Sequence, residues 1–286
     1  MTRIFRCGAH AFELVRPLVM GVLNVTPDSF SDGGRFLDRG SALAHACSMR
    51  DDGADLIDVG GESSRPGAKP VDEKVEIERV IPLVEALARE GVVVAIDTRK
   101  PAVMRAAIAA GASMVNDIAA LTAPGAIEAC VPNATGICLM HMRGEPATMQ
   151  RAPAYDNVVT EVRDFLVERA RACEAAGIGA ERIAIDPGFG FGKTRAHNLT
   201  LLRALGDFAA TGYPVLVGLS RKKSLGDITG RATDERLAAS LAAALAAVAR
   251  GASIVRVHDV RETVDALKVW RAIERQGDDR AQPDDE

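Results

Sequence analysis

Polar residues able to do chemistry recur along this chain at one kind of place, the end of a short aliphatic run: Asn24, Glu62-Ser63-Ser64-Arg65, Asp97-Thr98-Arg99, Asn116-Asp117, His141, Asp186, Ser220-Arg221-Lys222, and Arg256 with His258. Asp97 and Asp186 close apolar strands. Buried carboxylates are costly unless paired or hydrogen-bonded, and a flat heterocycle carrying amino and ring N–H groups would satisfy them. Asn116 adds a donor and an acceptor, while Lys222 can donate to a ring carbonyl or nitrogen. A salt bridge from Asp97 to Arg99 or a neighbouring lysine is the competing reading, and it explains less, because four such groups suit a polar flat ligand. Arg256 and His258 stand two apart and so face one side of their strand. A pair of cations there suits phosphate or pyrophosphate, particularly beside the helix N-terminus near Val260. On that strand alone, a structural arginine with a satisfied histidine fits as well; Arg65, an added cation in another loop, tips the reading toward an anion site.

Groups this distant in sequence meet only where a fold gathers strand ends. Eight runs read as strands, at residues 18–25, 55–60, 92–97, 113–117, 136–141, 183–186, 215–220 and 254–258. Between them, residues 71–90, 101–110, 157–176, 196–210, 232–249 and 260–275 carry helical periodicity. Alternating strands and helices imply βαβ units, and eight of them predict an α/β fold, a (β/α)8 TIM barrel, with a doubly wound open sheet as runner-up. The residues before Leu18 form a short added N-terminal hairpin or cap. All strand C-termini of such a barrel share one rim, where barrel enzymes place their sites. Thr98, Asp117 and Asp259 are assigned instead to helix caps and loop fixation.

The first run opens at Asn24 into Val25-Thr26-Pro27-Asp28-Ser29-Phe30-Ser31-Asp32-Gly33-Gly34, too polar for a core and, with its proline and paired glycines, unsuited to a helix. Pro187-Gly-Phe-Gly-Phe-Gly-Lys-Thr194 invites comparison with a phosphate-cradling P-loop but fails on spacing, because the required first glycine is Pro187. It reads better as a βα loop that brings Phe189 or Phe191 over a flat ring. The five histidines form no ligand pair, which argues against a transition-metal site. A magnesium ion carried in by substrate phosphates needs only one or two protein oxygens, and Asn24 can supply one.

An aliphatic composition, 48% hydrophobic with only 4% aromatic residues, fits helices covering a parallel sheet. The net charge is −4, and the segment from 276 to 286, with five acids against Arg280, accounts for it. The body is near neutral and has no basic stripe, so neither nucleic acid nor an anionic membrane is an expected partner. Residues 1–275 are expected to form one barrel domain and 276–286 a disordered acidic tail. Five scattered cysteines without a C-x-x-C pair, no signal-peptide pattern and no apolar run long enough to span a bilayer predict a soluble cytoplasmic protein.

Taken together, Gly21-Val-Leu-Asn-Val-Thr-Pro-Asp-Ser-Phe-Ser-Asp-Gly33, Asp58-Val-Gly-Gly-Glu-Ser-Ser-Arg-Pro-Gly67, Asp97-Thr-Arg99, Asn116-Asp117, Asp186-Pro-Gly-Phe-Gly-Phe-Gly-Lys193, Ser220-Arg-Lys222 and Arg256-Val-His258 resemble the dihydropteroate synthases, in order and in register from about Leu18 to Trp270. The resemblance implies a pterin-binding barrel that joins 6-hydroxymethyl-7,8-dihydropterin pyrophosphate to p-aminobenzoate, releasing pyrophosphate. It implies that Asp97, Asn116, Asp186 and Lys222 hold the pterin, and that Asn24, Ser64, Arg65, Arg256 and His258 receive pyrophosphate, with Asn24 ligating magnesium. Thr26, Pro27, Phe30 and Phe191 are the implied p-aminobenzoate contacts; Asp97, Lys222, Arg256 and His258 are the implied catalytic residues. A homodimer and competition by sulfonamides follow from the same resemblance. Ser64 stands where threonine is frequent and keeps the hydroxyl. Lys223 stands where some members carry a serine near the p-aminobenzoate carboxylate, which leaves a backbone N–H or its ammonium for that contact. The alternatives are a pterin-binding methyltransferase domain, which needs no pyrophosphate cluster, and a paralogue that binds pterin without turnover.

Overall fold

Inward and outward residues alternate along every long strand of this protein, and the two sets build two separate cores. The computed structural model describes residues 3–25 and 39–274. The expected acidic tail, and Thr26, Pro27 and Phe30 of the first loop, lie outside the described residues. A hairpin of β1 (Ile4–Cys7) and β2 (His10–Glu13) precedes β3 (Leu18–Asn24), α1 (Arg39–Asp51), β4 (Leu56–Gly60), α2 (Glu73–Arg89), β5 (Val94–Asp97), α3 (Pro101–Ala109), β6 (Met114–Asp117), α4 (Ala126–Cys130) and β7 (Gly136–Met140). Then follow α5 (Val158–Ala175), β8 (Ile183–Asp186), α6 (Arg195–Arg203), α7 (Leu205–Ala209), β9 (Leu216–Val217), α8 (Lys223–Thr229), α9 (Leu237–Val248), β10 (Ile254–Val257) and α10 (Val260–Glu274). The eight strands β3 to β10 are parallel in the order β8-β7-β6-β5-β4-β3-β10-β9, and a parallel bridge between Ile185 and Val215 closes the ring. This is the expected (β/α)8 barrel.

Outward residues such as Val19, Leu23, Ile57, Val59, Ile96, Val115, Ile137, Leu139, Ile185 and Val255 pack under the helices in one buried core. Inward residues Leu18, Met20, Leu56, Ala95, Met114, Cys138, Ala184, Leu216 and Ile254 form the second, inside the barrel, and Phe5 and Cys7 of the hairpin complete it from below. The N-terminal cap is therefore a plug. Its close approach depends on Gly136, where an added Cβ would meet Cys7 Cβ at 2.6 Å and the Arg6 carbonyl at 2.9 Å. Apolar floor and polar rim follow from position along the same inward rows, for most rows end at the C-terminal side in a polar group, as in Asn24, Asp97, Asn116 and Asp186, while that of β7 ends in Met140.

Local chemistry sets several helix bounds. Asp72 caps α2 by accepting from Lys74 N–H, and Asn157 caps α5 by accepting from Val159 and Thr160 N–H. The span expected as one helix over 196–210 divides at Ala204 into α6 and α7. Strand β9 covers only Leu216–Val217 of the expected 215–220, because Gly218 to Ser220 leave the sheet to enter the site. Helices α1, α4 and α8 were not read from periodicity; two of them are only five and seven residues long, too short for a period to register.

If Phe5 plugs the barrel, Phe5→Ala should lower unfolding free energy by about 3–5 kcal/mol in urea titration. A loss under about 1 kcal/mol would place the hairpin outside the core.

Candidate active site

The polar ends of the inward rows are joined across the barrel by one guanidinium. Arg256, on β10, donates from Nε to Asp58 Oδ2 at 2.5 Å and from Nη2 to Asp97 Oδ2 at 3.0 Å. Asn116 Nδ2 donates to the same Asp58 oxygen at 3.1 Å. Asp58 is fully buried, and its other oxygen, Oδ1, has no hydrogen-bond partner among the described residues. Burial and the Asp58 charge push the Asp97 carboxyl up, and Arg256 opposes them. The guanidinium itself is pushed further up: its two carboxylates outweigh burial.

Asp97 thus pairs with Arg256, not with Arg99, which turns to Glu62 at 3.3 Å. Asp58 is a site residue that the sequence reading passed over. The signal was present: an acid in the middle of Leu56-Ile57-Asp58-Val59 has the inward parity of its strand and no local partner.

Asp186, at the end of β8, is buried and accepts Gly188 N–H at 2.7 Å; burial raises its pKa to about 6. The following loop turns back over the mouth through left-handed glycines. At Gly188 (φ +69°) a Cβ would lie 1.9 Å from the His141 carbonyl, so no side chain fits. Phe189 is buried in the outer core, which leaves Phe191, half-buried, facing the mouth. Lys222 Nζ stands 4.3 Å from the centre of the Phe191 ring. Burial and Arg256 lower the Lys222 pKa to about 8.

Lys193 was not singled out from sequence, yet it closes this loop. Its Nζ lies 2.9 Å from His141 Nδ1 and donates to the carbonyls of His141 at 3.2 Å and Phe191 at 3.0 Å. Burial lowers Lys193 to about 7 and His141 to about 3. His141, a candidate from its place at a run end, is a neutral partner for Lys193, packed edge-on against Phe165.

On the far side of the mouth, Arg221 adopts φ +58° and pairs with Asp259 through two hydrogen bonds. Asp259 therefore holds Arg221 of the loop after β9, which falls within the expected role of cap or loop fixation. Thr98 accepts Lys100 N–H at 3.3 Å, and Asp117 accepts Ala119 and Leu121 N–H, both as expected. Ser220 Oγ lies 3.0 Å from His258 Nδ1 and accepts His258 N–H at 3.2 Å. Burial and Arg256 lower the His258 pKa to about 4, so at neutral pH Arg256 carries the positive charge of this strand alone.

Ser64 and Arg65 lie in the loop after β4, with Arg65 exposed, and among the described residues no hydrogen bond joins either to the barrel floor. Asn24 ends β3 beside Gly60. A side chain at Gly60 would stand 3.6 Å from Asn24 Oδ1 and 3.8 Å from Asp97 Oδ2, so the glycine keeps space open between an amide and a carboxylate oxygen. No group of three His, Cys, Asp or Glu suited to a metal occurs among the described residues. One or two oxygens fit a magnesium ion that arrives with phosphate ligands of its own. Among the described residues, no helix is long and apolar enough to cross a membrane.

The family model of pterin binding enzymes matches residues 20–258 of this chain. A dihydropteroate synthase of Escherichia coli (strain K12) is 50% identical over 271 residues, covering 94% of this chain and 96% of that protein. The structure resembles dihydropteroate synthase from Xanthomonas albilineans with 4-aminobenzoic acid, at a TM-score of 0.91 and 50% identity over 97% of this chain and 100% of that one. It also resembles the Burkholderia cenocepacia enzyme complexed with 7,8-dihydropteroate, at a TM-score of 0.87 and 54% identity over 95% and 96% of the two chains.

Because Asp58 and Asp97 share one guanidinium, Asp58→Asn should lower the Asp97 pKa, read from its side-chain carboxyl resonance during an NMR titration. An Asp97 pKa that does not fall would show that the Asp58 charge does not raise it.

Proposed function

The chain belongs to the pterin binding enzymes, and from that premise we propose that it is a dihydropteroate synthase, a transferase that joins 6-hydroxymethyl-7,8-dihydropterin pyrophosphate to p-aminobenzoate in folate biosynthesis. The observation that carries the proposal is the barrel mouth itself: Asp97, Asn116 and Asp186 stand at the ends of three strands and Lys222 in the loop after a fourth, with Arg256 bonded to Asp97. A pterin needs this mixture. Its amino and ring N–H groups donate to carboxylates, its carbonyl and ring nitrogens accept from Lys222, and Asn116 serves either edge.

In the reaction the C–O bond to pyrophosphate breaks, and positive charge spreads from the methylene into the electron-rich pterin. Asp97 stabilises that charge at close range. Arg256, His258, Ser64 and Arg65 receive the departing anion, and its approach would raise His258 from its low pKa by supplying the missing counter-charge. The lone pair of the arylamine then forms the C–N bond, and an N–H proton is released. No protein nucleophile is required. Magnesium, when bound with Asn24 as its protein ligand, would add charge neutralisation on pyrophosphate. Phe191 supplies an apolar wall for p-aminobenzoate, with Thr26, Pro27 and Phe30 as further contacts. A pterin-binding methyltransferase would have no use for an anion-receiving group beside the pterin. The family resemblance further implies a cytoplasmic homodimer.

The purified protein, given dihydropterin pyrophosphate, magnesium and p-aminobenzoate, should release pyrophosphate and form dihydropteroate; no product at high enzyme concentration would overturn the reading. Asp97→Asn and Lys222→Ala should each cut kcat/KM by about a hundredfold or more with the circular dichroism spectrum unchanged. Wild-type rates in either would remove that residue from the mechanism.

Ionised Asp97 and Asp186 and protonated Lys222 are all needed, so kcat/KM should rise through about pH 6 to 7 and fall above about pH 8. A profile flat across that range would mean that none of the three titrates in the free enzyme.

A further inference from the structure

The loop that carries Ser64 and Arg65 leaves the barrel at Glu62 and returns at Val71, and one pair of side chains holds both ends. Glu62 Oε2 accepts Val71 N–H at 2.7 Å. Lys100, from the turn between β5 and α3, donates from Nζ to Glu62 Oε2 at 2.7 Å, to the Val71 carbonyl at 2.7 Å and to Glu76 Oε2 at 2.5 Å. Arg99 Nε reaches the other Glu62 oxygen at 3.3 Å. Glu76 sits in the first turn of α2 and is only 1% exposed. Lys100 therefore ties the start of the loop, its end and the helix that follows to a single ammonium.

Such a clamp is strong for three reasons. The contacts are charge-assisted, and they are largely shielded from water, with the Lys100 side chain 18% exposed. Closing the loop at both ends also removes conformational freedom that an anion would otherwise have to remove on binding. Within the excursion the remaining backbone ties are few: Ala68 N–H to the Arg65 carbonyl at 3.0 Å, Gly67 N–H to the Pro146 carbonyl at 3.1 Å, and a long contact from Arg65 N–H to Ser63 Oγ at 3.4 Å.

We infer that Lys100 is a positioning residue for the pyrophosphate-receiving loop, setting where Ser64 and Arg65 stand without touching either substrate. The inference rests on the proposed function for what the loop receives. It does not rest on it for the clamp, which is a matter of hydrogen bonds.

Removing Lys100 alone would leave Glu76 buried without its cation, a change that threatens folding. The double variant Lys100→Met with Glu76→Gln removes the clamp and the stranded charge together. In the folded full-length protein, hydrogen exchange at the Gly67, Ala68 and Val71 amides should accelerate about tenfold, and affinity for inorganic pyrophosphate by calorimetry should fall about tenfold, the loss of one charge-assisted contact. The KM for dihydropterin pyrophosphate should rise in step. The Kd of 6-hydroxymethylpterin, which lacks the pyrophosphate, should stay within about twofold, because its contacts lie on the barrel floor. Lys100→Arg should restore part of the loss.

Unchanged exchange and pyrophosphate affinity in the folded variant would overturn the inference. So would a fall in pterin affinity equal to that for pyrophosphate, since Lys100 would then act through the floor. A wild-type protein that forms no dihydropteroate would defeat the proposed function alone; the exchange and pyrophosphate measurements judge the clamp in either case.

Discussion

The bridge from Arg256 to Asp58 and Asp97 is the interaction on which the rest of the site depends. Three charges sit inside a barrel whose lower half is aliphatic, and two of them are alike. Without the guanidinium, the carboxylates would repel across a medium that screens poorly, and one or both would take up a proton. With it, Asp97 is held close to where a pterin edge would lie, and Asn116 is fixed by its bond to Asp58. Buried ion clusters of this kind add little net stability, because desolvation offsets the attraction. Their value here is placement, since three strands are locked to one geometry at the level where chemistry would occur.

Around that floor, two lysines hold loops of the rim. Lys193 gathers the carbonyls of His141 and Phe191, and Lys100 gathers the two ends of the loop after β4. An ammonium suits this task, because it has three donors and no fixed plane and so can satisfy carbonyls that arrive from different directions. Both lysines lie outside the set that would touch a pterin. The barrel thus separates a floor set by strand register from a rim set by a few polar staples. The hairpin plug below has the opposite character: it is apolar, with Phe5 and Cys7 filling the taper that the inward rows leave open.

Much of this was legible before any fold was known. Short aliphatic runs, as strands buried on both faces require, placed seven of the eight strands close to their observed bounds, and the polar endings of those runs marked the rim. The strand expected over 215–220 proved shorter, because Gly218 to Ser220 leave the sheet, and the break between α6 and α7 escaped because Ala204 is as good a helix former as its neighbours. Asp58 was passed over because it stands inside its run and not at the end, although its parity was informative. Asp259 was expected to cap a helix or fix a loop, and which loop it fixes, through Arg221, depended on the fold.

The sequence by itself determined the barrel, a hairpin or cap before it and the chemical types gathered at the mouth, because aliphatic runs and their polar ends are local properties; that the hairpin plugs the barrel was decided by the fold. Which charge neutralises which was decided only in three dimensions. Asp97 has Arg99 two residues away but pairs with Arg256, which is 159 residues distant, because β5 ends at Asp97 and the turn that follows carries the near arginine to Glu62, while the closed ring brings the far one across. The same closure lowers His258, raises Asp186 and draws Lys100 to Glu62 and Glu76. Electrostatics depends on distance and burial, and neither exists in a linear chain.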